Sequence, residues 1–354
     1  MRIAFTALLA FAAGVLLMLV LSHRAAMPQQ ASDAHPTMDV ATAQTGPASP
    51  SSSTPPAHAN VSDKLDDGAL DRWPAQGPTP EQVIYAQPRL LHDTVAKLSP
   101  RVPGKPNLYL VSFAGDGGED VFRNEAEYAA QLFAGRFGGT VHPLVLANNP
   151  DTLEQHPLAT WSNLESSLDA LSTVMKPDED ILMLYLTTHG DPDHNLLVDL
   201  DPLPLDQIGA PDLADILNKH PFKWKVVVVN ACYSGGFVPN LHGPGTLVLT
   251  AARTDRSSFG CGSDSDITYF GRAWLVDALN RTPDFIEAFK QATGEIGQWE
   301  QKDKLTPSEP QIDVGSGIAD QLALWRKSVA PGPSVAFRPP HPVAPQKTSP
   351  ADPR

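Results

Sequence analysis

Five short runs of apolar, largely β-branched residues punctuate the middle of the chain. They are "LYLVSF" (Leu108 to Phe113), "VHPLVL" (Val141 to Leu146), "ILMLYL" (Ile181 to Leu186), "KVVVVN" (Lys225 to Asn230) and "TLVLTA" (Thr246 to Ala251). The runs are nearly continuous rather than alternating, the pattern of strands covered on both faces. Segments of helical period separate the strands: Glu119 to Phe137, closed by Gly138 and Gly139, then Trp161 to Met175 and Pro211 to His220. After the fifth run come Ile267 to Leu279 and Pro283 to Glu300, with Thr282 as a cap and Pro283 in the first turn. The alternation predicts an α/β fold: a mainly parallel, five- to six-stranded sheet with helices on both faces, to which "PQIDVG" (Pro310 to Gly315) adds a sixth, edge strand.

The flanks are of another kind. Ile3 to Ser22 carries no charge and lies between Arg2 and Arg24, so residues 1–26 read as a membrane anchor, or a signal sequence, facing the bulk of the chain away from the cytoplasm. This pattern leads one to expect a membrane-attached protein with its folded domain outside the cytoplasm, or one secreted after cleavage. Residues 27–100 form a linker rich in Pro, Ala and Ser, with few large apolar side chains to offset the entropy of ordering. Residues 329–354 are a proline-rich tail expected to be disordered, which leaves 101–328 as the folded domain.

Charge narrows the partners. With a formal net charge of -14 and no basic run, the chain lacks the clustered Lys and Arg that phosphate binding requires, which excludes a nucleic-acid surface. No cofactor motif is present. The two cysteines, Cys232 and Cys261, allow either one structural disulfide in an exported protein or a reactive thiol.

In an open parallel sheet, chemistry gathers beyond the carboxyl ends of the strands. The third strand runs into His189 and Gly190 in "LYLTTHG", and the fourth into Cys232 in "VVVVNACYSGG". If these strands pair directly, the imidazole and the thiol share one rim about 4.8 Å apart in strand spacing. An imidazole there raises the thiolate fraction and later protonates a leaving amine. The amides of Gly190 and Cys232 are candidate donors to an oxyanion, and Gly235 with Gly236 would let the loop turn sharply.

Cys232 in N-A-C-Y-S-G, with His189 43 positions upstream, is similar to the caspase pattern of a Q-A-C motif preceded by a histidine. More specifically, "FAGDGGEDVFRNE", "YLTTHG", "VVVVNACYSGGF", "LTAARTDRSSFGC", "TYFGRAW" and "SEPQIDVG" make the chain resemble the bacterial membrane-associated branch of the legumain (asparaginyl endopeptidase) family, from about Asn107 to Gly315. The resemblance implies a caspase-like three-layer fold and a cysteine endopeptidase working through a thioester, with Cys232 as nucleophile, His189 as general base and acid, and Gly190 and Cys232 amides as oxyanion donors. It implies a substrate pocket of Arg123, Ser257 and Ser258. At the two remaining pocket positions Asn230 stands where the family has an acid and Arg272 where it has an aspartate, so the preferred residue is Asn, Asp or another polar side chain. A transamidase resolving the same acyl-enzyme with an amine, or a silent caspase-like scaffold, are the alternatives.

Other titratable groups read as ordinary. "HGDPDH" (His189 to His194) is similar to a metal-binding H-x-H-x-D-H box, but Asp191 stands where a second histidine belongs, and no metal site is expected. His142, His156, His194, His220 and His242 read as locally hydrogen-bonded.

Overall fold

The computed structural model describes residues 73–262 and 264–340. The anchor at residues 1–26, the linker up to residue 72 and the tail beyond residue 340 lie outside the described residues. Among the described residues no helix is long and apolar enough to cross a membrane.

The sheet has six strands, β1 (Leu108–Ala114), β2 (Val141–Ala147), β3 (Ile181–Thr187), β6 (Trp224–Asn230), β7 (Thr246–Thr250) and β8 (Gln311–Val314), in the order β2-β1-β3-β6-β7-β8. The first five are parallel and β8 runs antiparallel at the edge. A separate two-stranded ribbon pairs β4 (Asn195–Leu196) with β5 (Ile208–Gly209).

Period-two alternation along each buried strand sends successive side chains to opposite layers. Leu108, Leu110, Ile181, Met183, Tyr185, Val226 and Val228 enter one core with helix α2 (Asp120–Phe137), the π-helix Gly271–Ala278, α6 (Phe285–Asp303) and α7 (Ile318–Ser328). Tyr109, Val111, Phe113, Leu182, Leu184, Leu186, Val227 and Val229 enter the other, with α1 (Pro80–Ala96), α3 (Trp161–Val174) and α4 (Ala210–Asn218). The four valines Val226 to Val229 are each 0% exposed, and each such burial contributes about 1.5–3 kcal/mol, which accounts for the composition of β6. The result is a three-layer α/β/α sandwich.

Several elements differ from the sequence expectation. The stretch expected as linker contains α1, started by a capping box in which Thr79 accepts from the Gln82 amide and Gln82 accepts from Thr79. It docks by Leu91, and by Gln87, whose Oε1 accepts from the Leu158 amide and Asn163 Nδ2. The first part of the tail is packed as well. Tyr128 donates to the Val335 carbonyl at 2.8 Å, Asn280 accepts from the Val335 amide at 2.8 Å, and Phe337 meets Tyr128 edge-on. Helix α7, unforeseen, buries Ile318, Leu322 and Trp325. Helix α6 starts later than Thr282 predicts: Asp284 is its cap, accepting from the amides of Ile286 and Glu287.

Candidate active site

The sheet register sets the site. Strands β3 and β6 are direct parallel neighbours whose last paired residues are Thr187 and Asn230. His189 and Cys232 each lie two residues beyond that pair, on the same rim. Gly190 then packs against the Cys232 carbonyl so closely that a Cβ there would collide with its oxygen, which ties the two loops together at van der Waals contact. Among the described residues, neither the Gly190 amide nor the Cys232 amide is engaged in a backbone hydrogen bond.

The loop after β6 reverses at Tyr233, whose φ of 56° is left-handed and uncommon for a bulky residue. The Tyr233 amide donates to the Arg256 carbonyl at 2.7 Å and so braces the turn. The two glycines expected to make the turn have another use: Gly236 lies against the His194 ring and Gly235 against the Arg253–Thr254 backbone, where a Cβ would clash.

Cys232 is half-buried and both cysteines are free thiols, so the disulfide alternative is not the state of this structure. The Ser258 amide donates to Cys232 Sγ at 3.3 Å, and Ser258 Oγ lies 3.8 Å from it. A hydrogen bond from Cys261 is the largest influence holding the Cys232 thiol below its ordinary range; Ser258 and the Ser257 hydroxyl add to it, and burial opposes. The same contact, with burial, pushes the Cys261 thiol up. Cys261, offered by the sequence as one half of an alternative disulfide, thus acts on the nucleophile candidate as a donor. Ser257 and Ser258, expected in the substrate pocket, are placed on the sulfur.

His189 presents Nε2 to two carboxylates, 3.5 Å from Asp116 Oδ2 and 3.4 Å from Glu119 Oε2, and its ring meets Phe122 edge-on. Both acids come from the loop between β1 and α2. Sequence reading passed over them because loop acids are ordinarily solvated. The three ligand atoms lie within 4.8 Å of one another, a set able to hold a divalent ion. The "HGDPDH" box does not converge: both Asp191 oxygens accept from Asn195, and His194 Nε2 hydrogen-bonds Thr254.

The other expected pocket residues separate. Arg123 is 2% exposed; its Nη2 lies 3.0 Å from Asp120 Oδ1, but neither Nε nor Nη2 makes a hydrogen bond of good geometry. Asn230 is 1% exposed and lies beneath the rim, its Nδ2 donating to Glu125 Oε2 at 2.7 Å. Glu125 is fully buried and also accepts from Tyr185, Thr187 and the Thr268 amide, while burial pushes its carboxyl up. A buried carboxylate on α2, Glu125, therefore lies against Asn230. Arg272 is half-exposed and paired with Asp277 at 3.0 Å, an ion pair on the surface. The remaining histidines have structural partners: His142 bonds Ser99 and Asn107, His156 Glu127, His220 Asp169 and His242 Asp313.

A sequence model of the Peptidase C13 family matches residues 165–320, a span that includes His189, Gly190, Asn230, Cys232, Ser257, Ser258 and Arg272 and begins after β1 and α2. Over that span the chain is similar to the legumain family, which supports a cysteine peptidase. No curated protein matches the chain in sequence. Among solved structures, caspase-1 from Spodoptera frugiperda is similar at 11% identity and a TM-score of 0.40, over 61% of this chain and 88% of that one.

Proposed function

We propose that the protein is a cysteine endopeptidase with Cys232 as nucleophile and His189 as general base and acid. The observation that carries this reading is the parallel pairing of Thr187 with Asn230, which brings the thiol and the imidazole onto one rim with the sulfur free. Cys232 Sγ adds to the peptide carbonyl, the developing oxyanion takes the amides of Gly190 and Cys232, and His189 delivers the proton to the departing amine. Water, activated by His189, then hydrolyses the thioester.

The residue before the scissile bond, on this reading, is Asp in preference to Asn. The Arg123 donors suit a carboxylate, whereas a carboxamide NH₂ needs an acceptor, and Asn230 and Arg272 are engaged elsewhere. The charge-free run Ile3 to Ser22 supports attachment to the inner membrane with this site in the periplasm. Cleavage of a peptide library varied at that one position tests the reading, with Cys232→Ser and His189→Ala as controls. Cleavage after Asp, lost in both variants, is expected; activity that survives Cys232→Ser rejects the assignment.

A further inference from the structure

Two carboxylate oxygens and the imidazole nitrogen of the candidate base converge at distances beyond hydrogen bonding. We propose that Asp116, Glu119 and His189 form a binding site for Zn²⁺, and that the bound ion switches the peptidase off by taking its base as a ligand. The site itself stands on geometry; its inhibitory effect rests on the peptidase reading above.

Spacing is the first argument. His189 Nε2 lies 3.5 Å from Asp116 Oδ2 and 3.4 Å from Glu119 Oε2, whereas an N–H···O bond measures about 2.7–3.2 Å. Ligands about 2.0–2.2 Å from a tetrahedral Zn²⁺ stand about 3.3–3.6 Å from one another, so both distances suit edges of a coordination tetrahedron. The three atoms all lie within 4.8 Å of one another.

Charge is the second. The Asp116 side chain is 8% exposed, and its Oδ1 accepts from the Gly118 amide at 2.8 Å. Among the described residues Asp116 Oδ2 accepts no hydrogen bond of good geometry, and Glu119 Oε2 is buried with none. Two anionic oxygens so close, and without donors, repel one another unless a positive charge stands between them. Protonated His189 is the rival cation, and metal titration tells the two apart.

The ligands are also held in place by their own backbone. The Gly117 amide, between the two acids in sequence, donates to the Asp199 carbonyl at 2.9 Å, and the Leu197 amide donates to the His189 carbonyl at 3.0 Å. One segment thus braces the loop of the acids and the loop of the histidine. The donor types select the ion: Ca²⁺ and Mg²⁺ take oxygen ligands, whereas Zn²⁺ accepts an imidazole with carboxylates and a water in the fourth position. Neither cysteine sulfur belongs to the set, and the "HGDPDH" box contributes only His189. With its nitrogen given to the metal, the imidazole is held as a ligand and no longer carries protons between thiol and leaving amine. Removal of the ion restores it, since no covalent bond forms or breaks.

Full-length wild type, stripped of metal and kept reduced, is titrated with Zn²⁺ alone against a chromophoric chelator, and with Co²⁺ for its optical spectrum. One ion per chain is expected, with no intense thiolate-to-Co²⁺ charge-transfer band. The double variant Asp116→Asn, Glu119→Gln should bind Zn²⁺ about 10²-fold or more weakly, and the double variant Cys232→Ser, Cys261→Ser should bind it as wild type does. X-ray absorption of zinc-loaded wild type, which depends on no variant, should show nitrogen and oxygen neighbours without sulfur. No binding, sulfur among the neighbours, or undiminished binding by the carboxylate variant overturns the site. Cleavage of an Asp-containing peptide is then followed against Zn²⁺, each protein relative to its own metal-free rate. Wild type should lose cleavage as the site fills and regain it with EDTA, and the carboxylate variant should need about 10²-fold more metal. Full cleavage by zinc-loaded wild type overturns the inhibition and leaves the peptidase reading intact. A wild type that binds Zn²⁺ through these ligands but never cleaves removes the peptidase reading and the inhibitory role, and supports the metal site.

Discussion

A Cβ at Gly190 would collide with the carbonyl oxygen of Cys232, so the loop that carries the imidazole and the loop that carries the thiol approach each other closely at that glycine. Glycine is required there by space, since any Cβ would enter the oxygen. Gly190→Ala is therefore expected to push the two loops apart, costing about 1–3 kcal/mol of stability from overpacking and about 10²-fold in kcat from misalignment. Thermal unfolding and single-turnover kinetics measure the two separately. Retention of wild-type kcat would show that the contact is not part of the working geometry.

Cys261 lowers the Cys232 thiol by donating to its sulfur. The sign follows directly: a depressed pKa keeps Cys232 ionised as pH falls, and its reactivity is lost only when pH drops through that depressed value. In Cys261→Ala the midpoint of Cys232 alkylation should move up, so that labelling at mildly acidic pH falls. Cys261→Ser, which retains a donor, should recover part of the shift. Identical midpoints in all three proteins would remove Cys261 from the site.

Glu125 is a buried acid whose carboxyl is raised by desolvation, with the hydrogen bonds of Thr268, Thr187 and Tyr185 opposing. The folded state then holds a proton that the unfolded chain gives up. Its contribution to stability is full below the ordinary carboxylate pKa and is lost as pH rises through the raised folded value. Glu125→Gln should abolish that part of the pH dependence while costing about 1–3 kcal/mol, because an NH₂ would face donors. Urea unfolding of both proteins across pH measures it, and parallel stability curves would contradict it.

Arg123 gives a test of substrate choice. Arg123→Lys keeps a buried cation but loses the planar fork, so kcat/KM for Asp-containing peptides should fall about 10²-fold or more. Alkylation of Cys232 by iodoacetamide, which needs no pocket, should be unchanged. An equal loss in both assays would place Arg123 in the support of the fold rather than in recognition.

Much of this arrangement was legible in the sequence, for identifiable reasons. Strands β1, β2, β3, β6 and β7 are apolar on both faces, so their runs stand out from the helices, and "PQIDVG" appears at the edge where a short, half-exposed strand belongs. The order of β3 and β6 in the chain, with one crossover helix, sufficed to put the loops that carry His189 and Cys232 on one rim of the sheet. Helix α1 escaped because it adjoins the proline-rich linker and Pro88 reads as a helix breaker in its midst, although "TPEQ" carried a capping-box signal and the helix runs through Pro88 unbroken. Helix α7 carried Ile318, Leu322 and Trp325 at helical spacing, a short signal next to a proline-rich tail. Asp116, Glu119 and Glu125 could not be singled out, since an acid in a loop or on a helix is ordinarily solvated and only the folded geometry shows these turned inward.

The central claim is that Cys232 is the nucleophile and His189 its base. Labelling of the full-length protein with an acyloxymethyl ketone carrying Asp next to the reactive group, read by intact mass and by mapping the modified peptide, tests it most directly. One probe per chain on Cys232, absent in His189→Ala although that variant remains folded, is the predicted result. A folded wild type that takes up no probe, or takes it up equally without His189, would contradict the account.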